Sequence, residues 1–174
     1  MSGTRVVVVM GVTGTGKTTI GVLLAARFGV PFAEGDDFHP RANIAKMSGG
    51  TPLDDNDRGP WLDAIGAWAR DRTEAGGVIS GSALRRAYRD RVRATAPDIV
   101  FVHLTAGRAL IEERLARRQG HFMPTKLLAS QLAELQPLEQ DEKGVTVDVS
   151  GTPEETTDRV VEALRELDAS SFAP

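Results

Sequence analysis

The run Arg5-Val6-Val7-Val8-Val9-Met10 passes directly into Gly11-Val12-Thr13-Gly14-Thr15-Gly16-Lys17-Thr18, and this junction constrains the fold more than any other feature. Consecutive β-branched residues suit a strand buried on both faces of a parallel sheet. The residues that follow match G-x-x-x-x-G-K-[ST], the pattern of a loop that wraps an anion. Its glycines let the backbone approach a phosphate and aim successive N–H groups inward. A helix opening near Lys17 adds its unpaired N–H groups and the positive end of its dipole. The expected nucleotide contacts are therefore Gly11, Val12, Thr13, Gly14, Thr15, Gly16, Lys17, Thr18 and Thr19. Lys17 offers a cation to the β- and γ-phosphates, and the Thr18 hydroxyl is placed to ligate Mg²⁺. A Gly/Thr-rich turn could match the pattern by accident. The helical text after it, with Ile20, Leu23, Leu24 and Phe28 on one side of Thr18–Phe28 and a stop at Gly29, argues against that.

The rest of the chain keeps the same alternation. Strands are expected at Val30–Glu34, Gly77–Ser80, Ile99–Leu104 and Val145–Val149. Helices are expected at Pro60–Thr73, Ser82–Ala94, from a Thr105 cap to about Arg118, at Pro124–Leu135, and from a Thr152 capping box towards Leu167. Alternating strands and helices predict an α/β fold with three layers: a five-stranded parallel sheet flanked by helices, built through right-handed crossovers. The 174 residues are the size of one domain. Ligands of such sheets bind beyond the carboxyl ends of the strands, so the loops after Met10, Glu34, Ser80 and Leu104 are the ones to inspect.

Composition narrows the function classes. A formal charge of −3 provides no general cationic field for nucleic acid or an anionic membrane, so any anion site must be local. The chain has no cysteine, which excludes disulfides and thiolate metal sites. The longest apolar run, Val6–Met10, is too short to span a bilayer, and the Gly-rich text after it is unlike a signal-peptide cleavage site. A cytoplasmic location is the expectation.

The loop Glu34-Gly35-Asp36-Asp37-Phe38-His39-Pro40 is open to two readings from its residues alone. A carboxylate ending the second strand would face the γ-phosphate, where it can orient or deprotonate a hydroxyl or stand behind a metal. Gly-Asp-Asp is equally a polar turn.

A longer pattern decides between them. Glu34–His39 is followed by Pro40, Asn43, Lys46-Met47, Gly50, Pro52-Leu53, Asp55, Asp57-Arg58 and Pro60-Trp61-Leu62. Further on stand Ser82-Ala83-Leu84 with Tyr88-Arg89-Asp90, then His121-Phe122-Met123 with Leu127-Leu128 and Ser130-Gln131. This pattern, covering Val7 to Glu155, resembles the bacterial-type gluconokinases, which are similar in fold to shikimate and nucleoside monophosphate kinases. The resemblance implies ATP- and Mg²⁺-dependent phosphorylation of D-gluconate at its 6-hydroxyl, and a homodimer. It implies that Asp36 engages the acceptor hydroxyl, that Glu34 is the metal-side acid with Thr18, and that Arg58 meets the acceptor carboxylate beside His39, Gly81 and His121. Gly81 and Arg85 stand where the family often has Cys and Lys, and Thr13, Thr15 and Thr18 where it usually has Ser.

Arg114, Arg117 and Arg118 read either as cations suited to a helix C-terminus or as part of a lid over about 117–127. By resemblance, Arg114 stacks on adenine opposite Pro153, and Arg117 or the catalytic Arg118 reaches the phosphates. Arg85, Arg86, Arg89, Arg91 and Arg93 make one helix basic, a face that would attract anions or simply be solvated. Trp61 and Trp68 are expected in the core, and His103 in the fourth strand is expected to be structural. Two alternatives remain: a P-loop kinase of another small acid such as shikimate, and a regulator that hydrolyses nucleotide slowly.

Overall fold

A computed structural model of the chain describes residues 5–117 and 124–171. Five strands, β1 (Val6–Met10), β2 (Phe32–Glu34), β3 (Gly77–Ser80), β4 (Val100–Thr105) and β5 (Gly144–Asp148), pair in parallel in the order β2-β3-β1-β4-β5. Seven α-helices lie among the described residues: α1 (Lys17–Phe28), α2 (Arg41–Ser48), α3 (Asp55–Asp71), α4 (Arg86–Thr95), α5 (Arg108–Ala116), α6 (Pro124–Glu134) and α7 (Pro153–Ser171).

The valines of β1 build both core layers because successive side chains point to opposite faces. Val6, Val8 and Met10 pack with Trp61, Leu62 and Ile65 of α3 and Val92 of α4. Val7 and Val9 pack with Ile20 and Leu24 of α1 and Val160 and Leu164 of α7. A third cluster joins Val12 of the Gly-rich loop to Leu84, Ile111, Leu115 and Leu128, so α5 and α6 roof that loop. Among the described residues no helix is long and apolar enough to cross a membrane.

Most boundaries shift by one or two residues, and three differences from expectation bear on the site. Helix α3 starts at Asp55 rather than Pro60, because Asp54 and Asp57 form a reciprocal capping box (2.8 and 2.9 Å). Pro60 lies inside the helix, where its missing N–H removes one backbone bond. Arg58 consequently sits in the first turn of a helix, not ahead of one. Thr105 is not a cap: it pairs with Asp148 as the last residue of β4, and Gly107 caps α5. Residues 82–85 form a loop rather than the start of α4, with Ala83 held at φ 39°.

Arg89 explains that loop and corrects the solvated reading of the basic helix. Its side chain and that of Glu142 are fully buried and paired at 2.7 Å, and its Nη1 donates to the Ala83 carbonyl at 3.0 Å. Arg93 also donates to Glu142 (2.7 Å), Arg86 pairs with Asp141 (2.6 Å), and Arg91 pairs with Asp63 (2.8 Å). Each of these cations is matched by a carboxylate, Arg89 and Arg93 in the interior and Arg86 and Arg91 at the surface. His103 is buried in β4, and burial, then the charge of Arg89, lowers its pKa and keeps it neutral.

Burial alone would raise the pKa of Glu142, but hydrogen bonds from Arg89, the Glu139 backbone and Arg93 bring it down to about 2. Its contribution to stability is therefore complete above the ordinary glutamate value and is lost as pH falls towards 2. Glu142→Gln, which leaves Arg89 buried without its counter-charge, is expected to cost about 3 to 5 kcal/mol in urea denaturation. Arg89→Met combined with Glu142→Met is expected to recover most of that loss; a double variant as unstable as the single one would contradict the assignment.

Candidate active site

The carboxyl ends of β1, β2 and β3 bring the Gly-rich loop and the Glu34–Pro40 segment side by side. Gly14 adopts φ +86°, and a Cβ there would come within 2.9 Å of both Ile111 and Leu115. Only glycine serves at this position, where the loop turns under α5. Gly16 caps α1, and Lys17 and Thr18 open it. Within the loop, the Thr15 hydroxyl and Lys17 Nζ donate to the Val12 carbonyl (2.9 and 3.1 Å). Thr18 and Thr19 are exposed at its mouth.

Glu34 ties this loop to its neighbours. It accepts from the Thr18 hydroxyl through one oxygen and from the Ser80 hydroxyl through the other, each at 2.5 Å. Ser80 Oγ in turn accepts from the Gly35 amide at 3.3 Å. The resulting pair of hard oxygen donors, a hydroxyl backed by a carboxylate, suits Mg²⁺, which takes few protein ligands and completes its shell with phosphates and water.

After Glu34 the chain makes a 3₁₀ turn over Gly35–Phe38. A Cβ on Gly35 would lie 1.9 Å from the Ser80 carbonyl oxygen, so the turn can pack on β3 only with glycine there. Trp61 of α3 donates to the Gly35 carbonyl at 2.8 Å and stacks on His39, with ring centroids 4.5 Å apart and planes 12° apart. Trp61 is therefore more than core filler, since it forms the floor under this segment. Trp68, its partner in the sequence stripe, is only half-buried, and Arg72 lies over its ring.

The surroundings of His39 favour the neutral ring and one tautomer. Burial lowers its pKa first, the Asp36 charge raises it, and the Arg58 charge lowers it again, with a net downward shift. Asn43 Nδ2 donates to the Asp57 carbonyl at 2.8 Å, which fixes the amide orientation, and meets His39 Nδ1 at 3.2 Å. Nδ1 is thus an acceptor, and the ring proton sits on Nε2. His39 is within electrostatic reach of both Asp36 and Arg58, Asp36 is exposed, and Gly81 is buried near Trp61 and Ile65 with room for a Cβ (nearest atoms 3.7 and 4.0 Å).

Arg58 faces a cavity of about 630 Å³ lined also by Asp55, Arg85 and Glu134. On the donor side, Arg114 donates to the Val149 carbonyl (2.7 Å) and approaches that of Gly151 (3.4 Å), next to the loop that leads to Pro153. Arg117 is exposed and turned back onto Glu113 at 2.5 Å. Arg118 and His121 lie outside the described residues, as does much of the expected 117–127 lid.

Four residues that sequence reasoning did not assign also belong to this region. Ser80 anchors Glu34, Asn43 sets the His39 tautomer, Gln131 Oε1 accepts from the Thr13 amide at 2.6 Å, and Glu134 lines the cavity. Asn43 and Gln131 stood in the resemblance pattern without a role. Nothing in the local spacing marks Ser80 or Glu134.

Known proteins share this chain's fold and much of its sequence. The family model described as an AAA domain matches residues 6–138. A gluconokinase of Gluconobacter oxydans (strain 621H) is 48% identical over 162 residues, covering 92% of this chain and 89% of the relative. The crystal structure of a gluconokinase from Sinorhizobium meliloti 1021 superposes with a TM-score of 0.87 at 42% identity, covering 97% and 96% of the two chains. Shikimate kinase from Aquifex aeolicus shares the fold at a TM-score of 0.59 and 14% identity, covering 91% and 95%.

Two glycines provide a stability contrast. Gly35→Ala is expected to cost more than about 2 kcal/mol, because the collision is with backbone that cannot move aside. Gly81→Ala, in ordinary contact distance, is expected to stay within about 1 kcal/mol of wild type. Thermal melts followed by tryptophan fluorescence test both, and equal stabilities would contradict the packing described.

Proposed function

The chain belongs to the gluconokinase family, and on that premise we propose that it transfers the γ-phosphoryl group of ATP to the 6-hydroxyl of D-gluconate, giving 6-phospho-D-gluconate and ADP. The observation that carries this reading is the direct hydrogen-bonded link from Thr18 through Glu34 to the turn bearing Asp36 and His39. It brings the segment proposed to bind the acceptor hydroxyl against the Gly-rich loop.

In this reading the backbone N–H groups of Gly11–Thr19 and the Lys17 ammonium hold the phosphates. Thr18, with Glu34 behind it, would hold Mg²⁺, which would supply positive charge beside the phosphates. Arg58 takes the gluconate carboxylate, His39 donates from Nε2 to a substrate oxygen, and Gly81 leaves space beside the sugar chain. Asp36 orients the 6-hydroxyl and accepts its proton as the oxygen attacks the γ-phosphorus and the bond to the β–γ bridging oxygen breaks. Because that transition state is loose, positioning contributes at least as much as proton removal. Arg114 and Pro153 belong to the adenine side, Arg117 and Arg118 to the phosphates, and His121 to closure on the acceptor, as the family pattern implies. A single domain over residues 1–174 with a lid near 117–127, a homodimer and cytoplasmic residence accompany this reading.

The test is ADP release with Mg·ATP alone and then with gluconate, shikimate, other sugar acids and nucleoside monophosphates in turn. Release that requires gluconate, with phosphate appearing on C6, is expected. Release that requires shikimate or a nucleotide, or that proceeds equally without acceptor, would overturn it.

A further inference from the structure

The cavity beside Arg58 presents an imbalance of charge. Its lining holds two guanidinium groups, Arg58 and Arg85, and three carboxylates, Asp54, Asp55 and Glu134. Asp54 is committed to capping α3. The other two contest the arginines. Glu134 lies 3.3 Å from both Arg58 Nη1 and Arg85 Nε, while Asp55 lies 3.8 Å from Arg58. These separations are wider than the 2.7–2.8 Å of the buried Arg89–Glu142 pair and of Arg91–Asp63. Arg58 is instead aimed by Tyr88, whose hydroxyl accepts from Nη1 at 2.9 Å. That hydroxyl has one proton to give, and Asp55 at 2.7 Å is better placed for it than Glu134 at 3.1 Å. Glu134 therefore depends on the two arginines, both of which it holds loosely, and an incoming carboxylate can take its place without disturbing the aim of Arg58.

Resting on the reading of this cavity as the acceptor side, we propose that Glu134 is the specificity-determining residue that limits the acceptor to one negative charge at the end held by Arg58. It occupies the position of the acceptor's carboxylate on Arg58, yields it to a monoanionic sugar acid, and remains beside Arg85 to oppose a second charge. A pocket that already holds more carboxylates than guanidiniums admits an anion by exchange rather than by addition. Each further negative charge on the ligand then meets an uncompensated carboxylate. The helix that carries Glu134 also carries Gln131, one turn earlier on the same side and bonded to the Thr13 amide, so Glu134 is presented from an element anchored on the phosphate loop.

The experiment compares wild type with Glu134→Gln and Glu134→Met, using gluconate as acceptor and D-glycerate and tartronate as inhibitors. Glycerate keeps the carboxylate and the 2-hydroxyl of gluconate, and tartronate is glycerate with its hydroxymethyl group oxidised to a second carboxylate, so both charges lie at the end that Arg58 takes. Removing one charge at this range is expected to lower the KM for gluconate about 3- to 10-fold. The inhibition constant of tartronate is expected to fall further than that of glycerate, so that the ratio of the two constants narrows in both variants while the KM for ATP is unchanged. The unchanged ATP constant reports that the variants are folded. A gluconate KM that is unaltered or raised, or an unaltered tartronate-to-glycerate ratio, would overturn the proposal and leave Glu134 as a simple support for Arg58. Wild type that turns over no gluconate at all would instead overturn the kinase reading on which the proposal rests.

Discussion

The carboxylate of Glu34, at the end of the second strand, accepts from Thr18 through one oxygen and from Ser80 through the other. These contacts fasten the carboxyl ends of β2 and β3 to the first turn of α1. Every distance between the phosphate-binding loop and the segment bearing Asp36 and His39 depends on that fastening. The arrangement is compact because Gly35 has no side chain, which lets its turn lie against the carbonyl of Ser80. From there Trp61 extends the scaffold to His39 and so to α3, the helix whose first turn carries Arg58. A chain of short contacts thus runs from a nucleotide loop to an arginine suited to an acidic acceptor.

Behind this front, the parallel sheet supplies rigidity. Its first strand is buried on both faces, and the loop that follows is held from above by Val12 packing on α5 and α6. The buried pair of Arg89 and Glu142 holds residues 82–85 as a loop beyond the carboxyl end of β3, through the bond from Arg89 to the Ala83 carbonyl. Burying such a pair is costly unless its remaining hydrogen bonds are met. Here Arg93 and the backbone groups of Ala83, Pro137 and Glu139 meet them.

Much of this was legible in the sequence, for identifiable reasons. Strands read from β-branched runs, and Gly77–Ser80 matched to the residue, because a strand buried on both faces is apolar throughout. The phosphate loop was legible because its chemistry needs glycine and lysine at fixed positions. Helix α2 was not, since Asn43 is the residue it buries and no apolar stripe announces it. The start of α3 was misplaced because proline is a strong local signal, whereas the capping box that outweighs it used Asp57 in place of the usual glutamate. The buried state of Arg89 was hidden because its partner lies far along the chain at Glu142. For the same reason, the roles of Ser80 and Glu134 follow from tertiary contacts and have no local signature.

Membership of the gluconokinase family and the geometry of the site meet at Asp36. Asp36 lies two residues beyond Glu34 in the 3₁₀ turn, is exposed, and is near enough to His39 to act on its charge state. If the proposed reaction is right, this group is needed for transfer and not for nucleotide binding. The most direct measurement is steady-state turnover of Asp36→Asn with gluconate, alongside its affinity for ATP. A fall in kcat of about 10²–10⁴ with ATP affinity nearly unchanged is predicted. Near-normal turnover in that variant would contradict the account.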